Sequence, residues 1–396
     1  MAEFLTAQLP GTGGILKQCP EDFFVEEIPL YLPCGEGEHL YLEIEKRGLT
    51  THDLVQRLAK HCRLRERDIS YAGLKDAQAL TRQRLCLPVK SEKHLATFEL
   101  AGVRILSSAR HRNKLRLGHL AGNRFRITLH DTLDNATARA EAIMARLHDE
   151  GVPNLFGEQR YGLLGTNPLI GGALLHGEHQ QAIDHLLGDP QQITNARWRQ
   201  GVELYRSGNL EEACRSLPAG CRNEKSVLRA LLNGKNAEQA LQKLPRNVLR
   251  LFLSAWQSRL FDRLVLQRLE RLAQLEQGDL AYKHVNGACF LVEDPATEQP
   301  RADAFEISPS APLFGAKTTL AEGPPGERER ELLDAENLPQ EAFRLPGGLS
   351  LQGERRPLRV PLQDPRVSAG GDGLEVSFAL PRGSYATTVM REIMKN

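Results

Sequence analysis

Residues 122–151 read GNRFRITLHDTLDNATARAEAIMARLHDEG, and the hydrophobic period changes halfway along. Phe125, Ile127 and Leu129 alternate with polar partners, the two-residue period of a half-buried strand. Beyond Asp134, a residue type that caps helices, Ala138, Ala142, Ile143 and Leu147 recur at helical spacing until Gly151 stops the run. Strand followed by capped helix is the local pattern.

Towards the N-terminus, residues 23–29 and 39–45 have the composition and partial alternation of strands, with Pro33, Gly35 and Gly37 punctuating the stretch between them. A helix is predicted to begin with Thr50 or Thr51 as its cap, because Leu54, Val55, Leu58 and Ala59 fall on one face, and to end near Cys62. Towards the C-terminus, Leu374, Val376, Phe378 and Leu380 alternate as a strand, and residues 384–394 follow as a short helix after Pro381 and Gly383. The middle is different. Helical periodicity runs over 178–188, 209–216, 225–233, 236–243 and 246–275. Residues 306–370 then turn rich in Pro, Gly and charge, which predicts long loops at a domain edge. Strand-rich ends around a helix-rich middle are the profile of an insertion, and two consecutive domains would give it too.

A chain of 396 residues exceeds the usual single-domain size, so two domains are expected. Lys plus Arg total 51 against 50 Asp plus Glu, so a case for a nucleic-acid partner must rest on local clustering. The seven cysteines are scattered, with no Cys-x-x-Cys pair or zinc spacing, and read as reduced thiols. The N-terminal Met-Ala-Glu-Phe-Leu-Thr-Ala-Gln lacks a basic region followed by an apolar stretch, and no run of about 18 apolar residues occurs. A cytoplasmic protein without a membrane partner is the expectation.

Local clustering is present. Residues 104–126, RILSSARHRNKLRLGHLAGNRFR, carry seven Arg or Lys, two His and no acid, a field that phosphates would feel. Arg63, Arg65, Arg67, Arg82 and Arg84 add to it. Asn123 and Phe125 lie inside this stretch, where an amide can hydrogen-bond a base edge and an aromatic can stack on an unstacked base. By periodicity alone Phe125 is more often a core residue.

Between Ser70 and Gln83 the chain reads SYAGLKDAQALTRQ, in which a Gly and a Lys precede a lone Asp76. A carboxylate on such a turn can be held rigidly, and an adjacent cation favours the ionised form a nucleophile requires. A turn or helix cap explains the same residue, and the residues alone leave both readings open.

Five runs in order resemble the motifs of the TruD family of tRNA pseudouridine synthases: Glu21-Asp-Phe-Phe-Val-Glu-Glu, Ala72-Gly-Leu-Lys-Asp, Gly122-Asn-Arg-Phe, Val152-Pro-Asn-Leu-Phe-Gly-Glu-Gln-Arg-Tyr-Gly, and Leu380-Pro-Arg-Gly-Ser-Tyr-Ala-Thr-Thr-Val-Met-Arg-Glu. The resemblance implies an α+β pseudouridine synthase domain built on a mixed, mostly antiparallel sheet from residues 1–150 and 360–396, interrupted by an inserted, mostly helical TRUD domain over 151–359. It implies isomerisation of a tRNA uridine, usually at position 13 of the D arm, without a cofactor; no metal site and a monomer are expected besides. Asp76 then matches the family's nucleophile. Phe23, Asn123 and Tyr385 match substrate-contacting positions, Phe125 matches the aromatic that stacks on the target base, and Lys17 falls where the family keeps a basic residue near the aspartate. Ala77 stands where the family often has Lys, and Tyr385 where Phe is common. The insertion is expected to form a wall of the tRNA cleft, with Arg160, Gln257 and Arg259 as candidate RNA contacts.

A uridine stacked in RNA must be extruded before its glycosidic carbon can be reached, at roughly a few kcal/mol, and aromatic stacking returns about 1 to 3 kcal/mol per base. Asp76 then attacks the ribose anomeric carbon, or takes the proton from the 2′ carbon to give a glycal. Either route releases uracil, which rotates and rejoins through carbon 5. Rival readings are a non-catalytic RNA-binding protein, a metal-dependent phosphoesterase, for which the sequence offers no carboxylate or His cluster, and a pseudouridine synthase acting on another RNA.

Overall fold

The computed structural model of the chain describes residues 4–370 and 373–396, apart from the side chain of residue 340. Residues 1–3, which open the stretch read above for a targeting signal, and 371–372 lie outside the described residues. The described chain divides into two compact units, one of residues 4–152 with 360–370 and 373–396 and one of residues 153–359.

The first unit is built on a nine-stranded sheet. Its strands are β1 (Gly13–Leu16), β2 (Phe23–Pro29), β3 (His39–Arg47), β4 (Ser70–Tyr71), β5 (Leu80–Pro88), β6 (Val103–His111), β7 (Leu120–Thr132), β8 (Gln363–Gly370) and β9 (Gly373–Pro381). The order is β8-β9-β7-β2-β5-β3-β6, with β1 on β7 and β4 on β5. All neighbours are antiparallel except β2 and β5, which run parallel with Phe24 opposite Leu80. That one parallel pair brings the entries of both central strands to the same end of the sheet. The exit of antiparallel β3 lies there too, with Lys46 opposite Thr81.

Helix α1 (Thr51–His61) begins where its cap requires, the Thr50 side chain accepting from the Asp53 amide. Its buried Leu54, Val55, Leu58 and Ala59 cover the inward residues Leu40, Leu42, Ile44, Leu85 and Leu87 of β3 and β5. Each fully buried Leu contributes about 2 kcal/mol. Helix α2 (Ala136–Glu150) starts one residue later than expected, with Asn135 as the preceding residue in the left-handed region at φ 59°. Its buried stripe is Ala136, Ala140, Ile143, Met144 and Leu147, while Ala138 and Ala142 are exposed. Alanines at every second position from 136 to 142 fit more than one face of a 3.6-residue helix, and packing decides between them.

Helix α3 (Ala386–Met394) closes the unit. The buried Glu392 carboxylate accepts from the amides of Leu5 and Thr6 at 2.8 and 3.0 Å and from the Thr6 hydroxyl at 2.7 Å. The C-terminal helix therefore anchors the N-terminal segment that runs into β1.

The second unit is helical from Asn167 to Gln267, its longest helix spanning Arg246–Gln267 rather than reaching residue 275. It then forms a four-stranded antiparallel sheet in the order Cys289–Leu291, Leu280–Lys283, Ile307–Leu313, Glu354–Pro357. The charged run after Glu322, expected to be loop, is a helix over Gly323–Asp334. Pro324 and Pro325 sit in its first turn, where no amide donor is needed and the fixed φ suits the helix. Gln257, expected at an RNA surface, is buried and donates to the Phe314 carbonyl at 2.6 Å. Arg160 lies over the Phe156 ring at 5.1 Å and donates to Ser254.

Candidate active site

The stretch before β5 carries Asp76, and the stretch before β2 carries Lys17. The shared end of these two strands puts the side chains in contact: Lys17 Nζ donates to Asp76 Oδ2 at 2.6 Å, with 22% and 28% of the two side chains exposed. The Gln78 amide donates to Oδ1 at 3.0 Å. Burial raises the Asp76 pKa, but the hydrogen bonds from Lys17 and the Gln78 amide and the Lys17 charge outweigh it. The pKa is lowered from its ordinary value and the carboxylate stays ionised at neutral pH.

Lys75, the cation next to Asp76 in sequence, turns the other way. Its Nζ donates to Asn123 Oδ1 at 2.6 Å and meets Glu27 at 3.3 Å, in a pair almost fully buried. Burial lowers the Lys75 pKa and raises that of Glu27, each opposed by the partner's charge. Adjacent residues of an extended chain point to opposite sides, so the residue beside a carboxylate is badly placed to pair with it.

Sequence reasoning missed a second cation, Lys46. The ammonium of this fully buried residue donates to the Asp76 main-chain carbonyl at 3.0 Å and to the carbonyl of Leu49. Burial pushes its pKa down to about 8, with the Asp76 charge opposing and the Lys75 charge adding to the shift. The signal was present, because Lys46 continues the inward register of Leu40, Leu42 and Ile44 along β3. The strand was read only to residue 45.

Phe23 and Phe125 are 5% and 6% exposed and meet edge to face at 6.3 Å, with Phe378 5.4 Å beyond Phe125. Lys17 Nζ lies 4.3 Å from the Phe23 centroid, so the first ring of this stack touches the Lys17–Asp76 pair. Asn123 stands opposite both Glu27 and Leu380. Tyr385 is the half-buried residue preceding α3, beyond the Pro381–Gly122 pair that ends β9. The site thus draws on the β1–β2, β4–β5 and β7 segments, with β9 leading to Tyr385.

The basic segment behaves differently from its sequence reading. Strand alternation sends Arg124 and Arg126 to the opposite face from Asn123 and Phe125. There Arg104 and Arg82 both pair with Glu45, at 3.0 and 2.9 Å, Arg82 and Arg124 with Glu26, and Arg126 with Glu375. Arg82 and Arg126 also flank the Phe24 ring at 5.2 and 5.0 Å. Arg110 and Arg112 pair with Glu92 and Glu36. Five of the seven cations are thus met by acids from distant parts of the sequence, leaving Lys114 and Arg116 as the exposed charges of the loop before β7. Among the described residues no cluster of three or more His, Cys, Asp or Glu could hold a metal ion, and no helix is long and apolar enough to cross a membrane.

Comparison with known proteins bears on what such a site does. The family model for tRNA pseudouridine synthase D (TruD) matches residues 1–393. The tRNA pseudouridine synthase D of Geobacter metallireducens is 55% identical over 393 residues, covering 99% of this chain and 97% of the relative. That of Syntrophotalea carbinolica is 55% identical over 395 residues, covering 100% and 99%. The crystal structure of TruD from Methanosarcina mazei aligns with a TM-score of 0.83 at 27% identity, over 100% of this chain and 96% of that one.

Proposed function

This chain belongs to the TruD family of tRNA pseudouridine synthases and isomerises uridine to pseudouridine in tRNA; from that premise we propose that its target is uridine 13 of the D arm and that Asp76 carries the chemistry. The observation that supports this is the 2.6 Å pair between Lys17 and an ionised Asp76, set against the buried aromatic stack.

In the first route an Asp76 oxygen bonds to the ribose anomeric carbon while the glycosidic bond breaks, its electron pair leaving with uracil. Rotation presents carbon 5, which forms a carbon–carbon bond to ribose as the ester oxygen leaves with its electron pair; the proton on carbon 5 is then lost, and N1, which left with the glycosidic pair, gains one. In the second route Asp76 takes the 2′ proton as uracil leaves with the glycosidic pair; carbon 5 then attacks the anomeric carbon of the glycal as Asp76 returns the proton to the 2′ carbon, and the proton on carbon 5 is lost while N1 gains one. Both need the carboxylate anion, which Lys17 stabilises, and both place developing negative charge on uracil beside that same ammonium. Phe23, Phe125, Asn123 and Tyr385 are the proposed base contacts, the two rings becoming available as the incoming base displaces neighbouring side chains. The reaction is a redox-neutral isomerisation, consistent with an enzyme working without a redox cofactor; a monomer in the cytoplasm is part of the same proposal. The unit of residues 4–152, 360–370 and 373–396 is taken as the catalytic domain and residues 153–359 as the inserted one.

Carbodiimide mapping of tRNA from a deletion strain, complemented with the wild-type gene or with Asp76→Asn, tests the reading. Pseudouridine 13 should vanish on deletion and return only with the wild type. An unchanged position 13 in the deletion strain would remove the proposed substrate, and full restoration by Asp76→Asn would remove the proposed nucleophile.

A further inference from the structure

Strands β1 and β2 follow the edge of β7 that β9 leaves open, with Leu16 opposite Leu129 and Phe23 opposite Ile127. Only Thr128 separates those two β7 residues, whereas residues 17–22 separate their partners, so this stretch must loop out of the ladder. The loop begins with Lys17, whose ammonium meets both Asp76 and the Phe23 ring. Lys17 is held in the left-handed region at φ 59°, a conformation that a residue with a side chain keeps only where its surroundings enforce it.

The enforcing contacts converge on Asp22, the last residue of the loop and a buried one. Its Oδ2 accepts from the Cys19 amide at 2.8 Å, closing the turn on itself. Its Oδ1 meets His130 Nε2 on β7 at 2.9 Å. Burial raises the Asp22 pKa, but the hydrogen bonds from His130 and the Cys19 amide outweigh it, and the pKa is lowered. An ionised carboxylate only accepts, so Nε2 is the donor. His130 lies opposite Ile15 of β1, and the bond therefore ties the end of the loop back to the level of the sheet at which it began. Glu21 beside it also pairs, with Arg47, but those side chains are 47% and 54% exposed and screened by solvent. The side chains of Asp22 and His130 are 8% and 19% exposed, so the holding falls chiefly to them.

We propose that Asp22 and His130 are positioning residues for the isomerisation, their buried pair closing the 17–22 loop so that the Lys17 ammonium is delivered to Asp76. A loop released from β7 would let that ammonium exchange Asp76 for water. The carboxylate would then bear the cost of burial without its counter-charge. The inference rests on the reading of Asp76 in the previous section and adds what keeps its cation in place.

The test uses the full chain carrying Asp22→Ala, His130→Leu or His130→Gln, each alone and together with Lys17→Met. Titration of Asp76, followed by NMR of carbon-13-labelled aspartate, gives a reading that does not depend on turnover. Removing the Asp22 charge would by itself lower the Asp76 pKa, so a rise in Asp22→Ala identifies a displaced Lys17, and an unchanged or lower value overturns the proposal. In single-turnover pseudouridine formation at saturating enzyme, Asp22→Ala and His130→Leu should each be slowed about 10-fold, and His130→Gln, whose amide can replace Nε2 as donor, less than about 3-fold. In the Lys17→Met background neither should slow the reaction further, because the pair acts through a side chain already removed. Undiminished slowing in that background would show that the pair merely supports the fold, and would overturn the proposal, as would full activity of both variants. His130→Leu leaves every acid in place and supplies both readings should Asp22→Ala fail to fold. A raised Asp76 pKa alongside full turnover by Asp76→Asn would instead remove the proposed chemistry of Asp76 and leave the positioning of Lys17 intact.

Discussion

The buried ammonium of Lys46 donates to the main-chain carbonyl of Asp76 at 3.0 Å, so Asp76 is held through its backbone by one lysine and through its carboxylate by another, Lys17. Lys46 also bonds the Leu49 carbonyl just before α1, tying the Asp76 turn to the helix start.

Lys46→Met keeps the apolar stem and removes the clamp. Its contacts are to protein, so KM should be unchanged while kcat falls about 10- to 100-fold, corresponding to about 1.4 to 2.8 kcal/mol of lost positioning. Steady-state kinetics on tRNA at pH 7 would measure this, and a rise in KM at constant kcat would refute a positioning role.

Asp76→Asn should abolish detectable pseudouridine formation yet leave tRNA affinity within a few-fold, because the carboxylate itself brings negative charge to an anionic ligand. Filter binding and mass mapping on the same preparation separate the two effects. Retained turnover would exclude Asp76 from the chemistry.

Lys17 lowers the Asp76 pKa, which fixes the sign of the pH dependence. The stabilisation from this pair is complete above the unfolded carboxyl value of about 3.9 and is lost as pH falls through the lowered folded value. For the wild type, kcat/KM should therefore hold level as pH falls through the ordinary carboxylate range. In Lys17→Met the acid limb should move to higher pH, and coincident limbs in the two proteins would contradict the pairing.

In the second unit, Gly171 of the helix Asn167–His176 lies so close to the helix Arg246–Gln267 that an added Cβ would sit 2.2 Å from the Phe252 carbonyl oxygen. Gly171→Ala should cost about 1 to 3 kcal/mol by overpacking, read as a lower midpoint in urea. Gly220→Ala, where nothing lies within 4 Å, should change stability by less than about 0.5 kcal/mol.

Much of the first unit was legible one element at a time. The cap at Thr50, the stripe of α1 and the alternation of residues 374–380 each depend on residues close in sequence, and the strands and helices lie where the period predicts. The helix at Gly323–Asp334 was missed because Pro and Gly signal both loops and helix starts, and only the following turns distinguish them.

The sequence by itself determined the family, the alternation of strands and capped helices, and the short set of residues that includes Asp76, because these are carried by motifs and local periodicity. Only the tertiary structure decided which cations serve Asp76. Lys17 arrives from 59 positions away and Lys46 from 30, through strand pairing, while adjacent Lys75 is turned to Asn123 and Glu27. It also decided that three of the basic segment's seven cations, Arg104, Arg124 and Arg126, are met on the far face by Glu45, Glu26 and Glu375. Charge and proximity act through space, and the distance between residues is set by strand order and register, which no local pattern records.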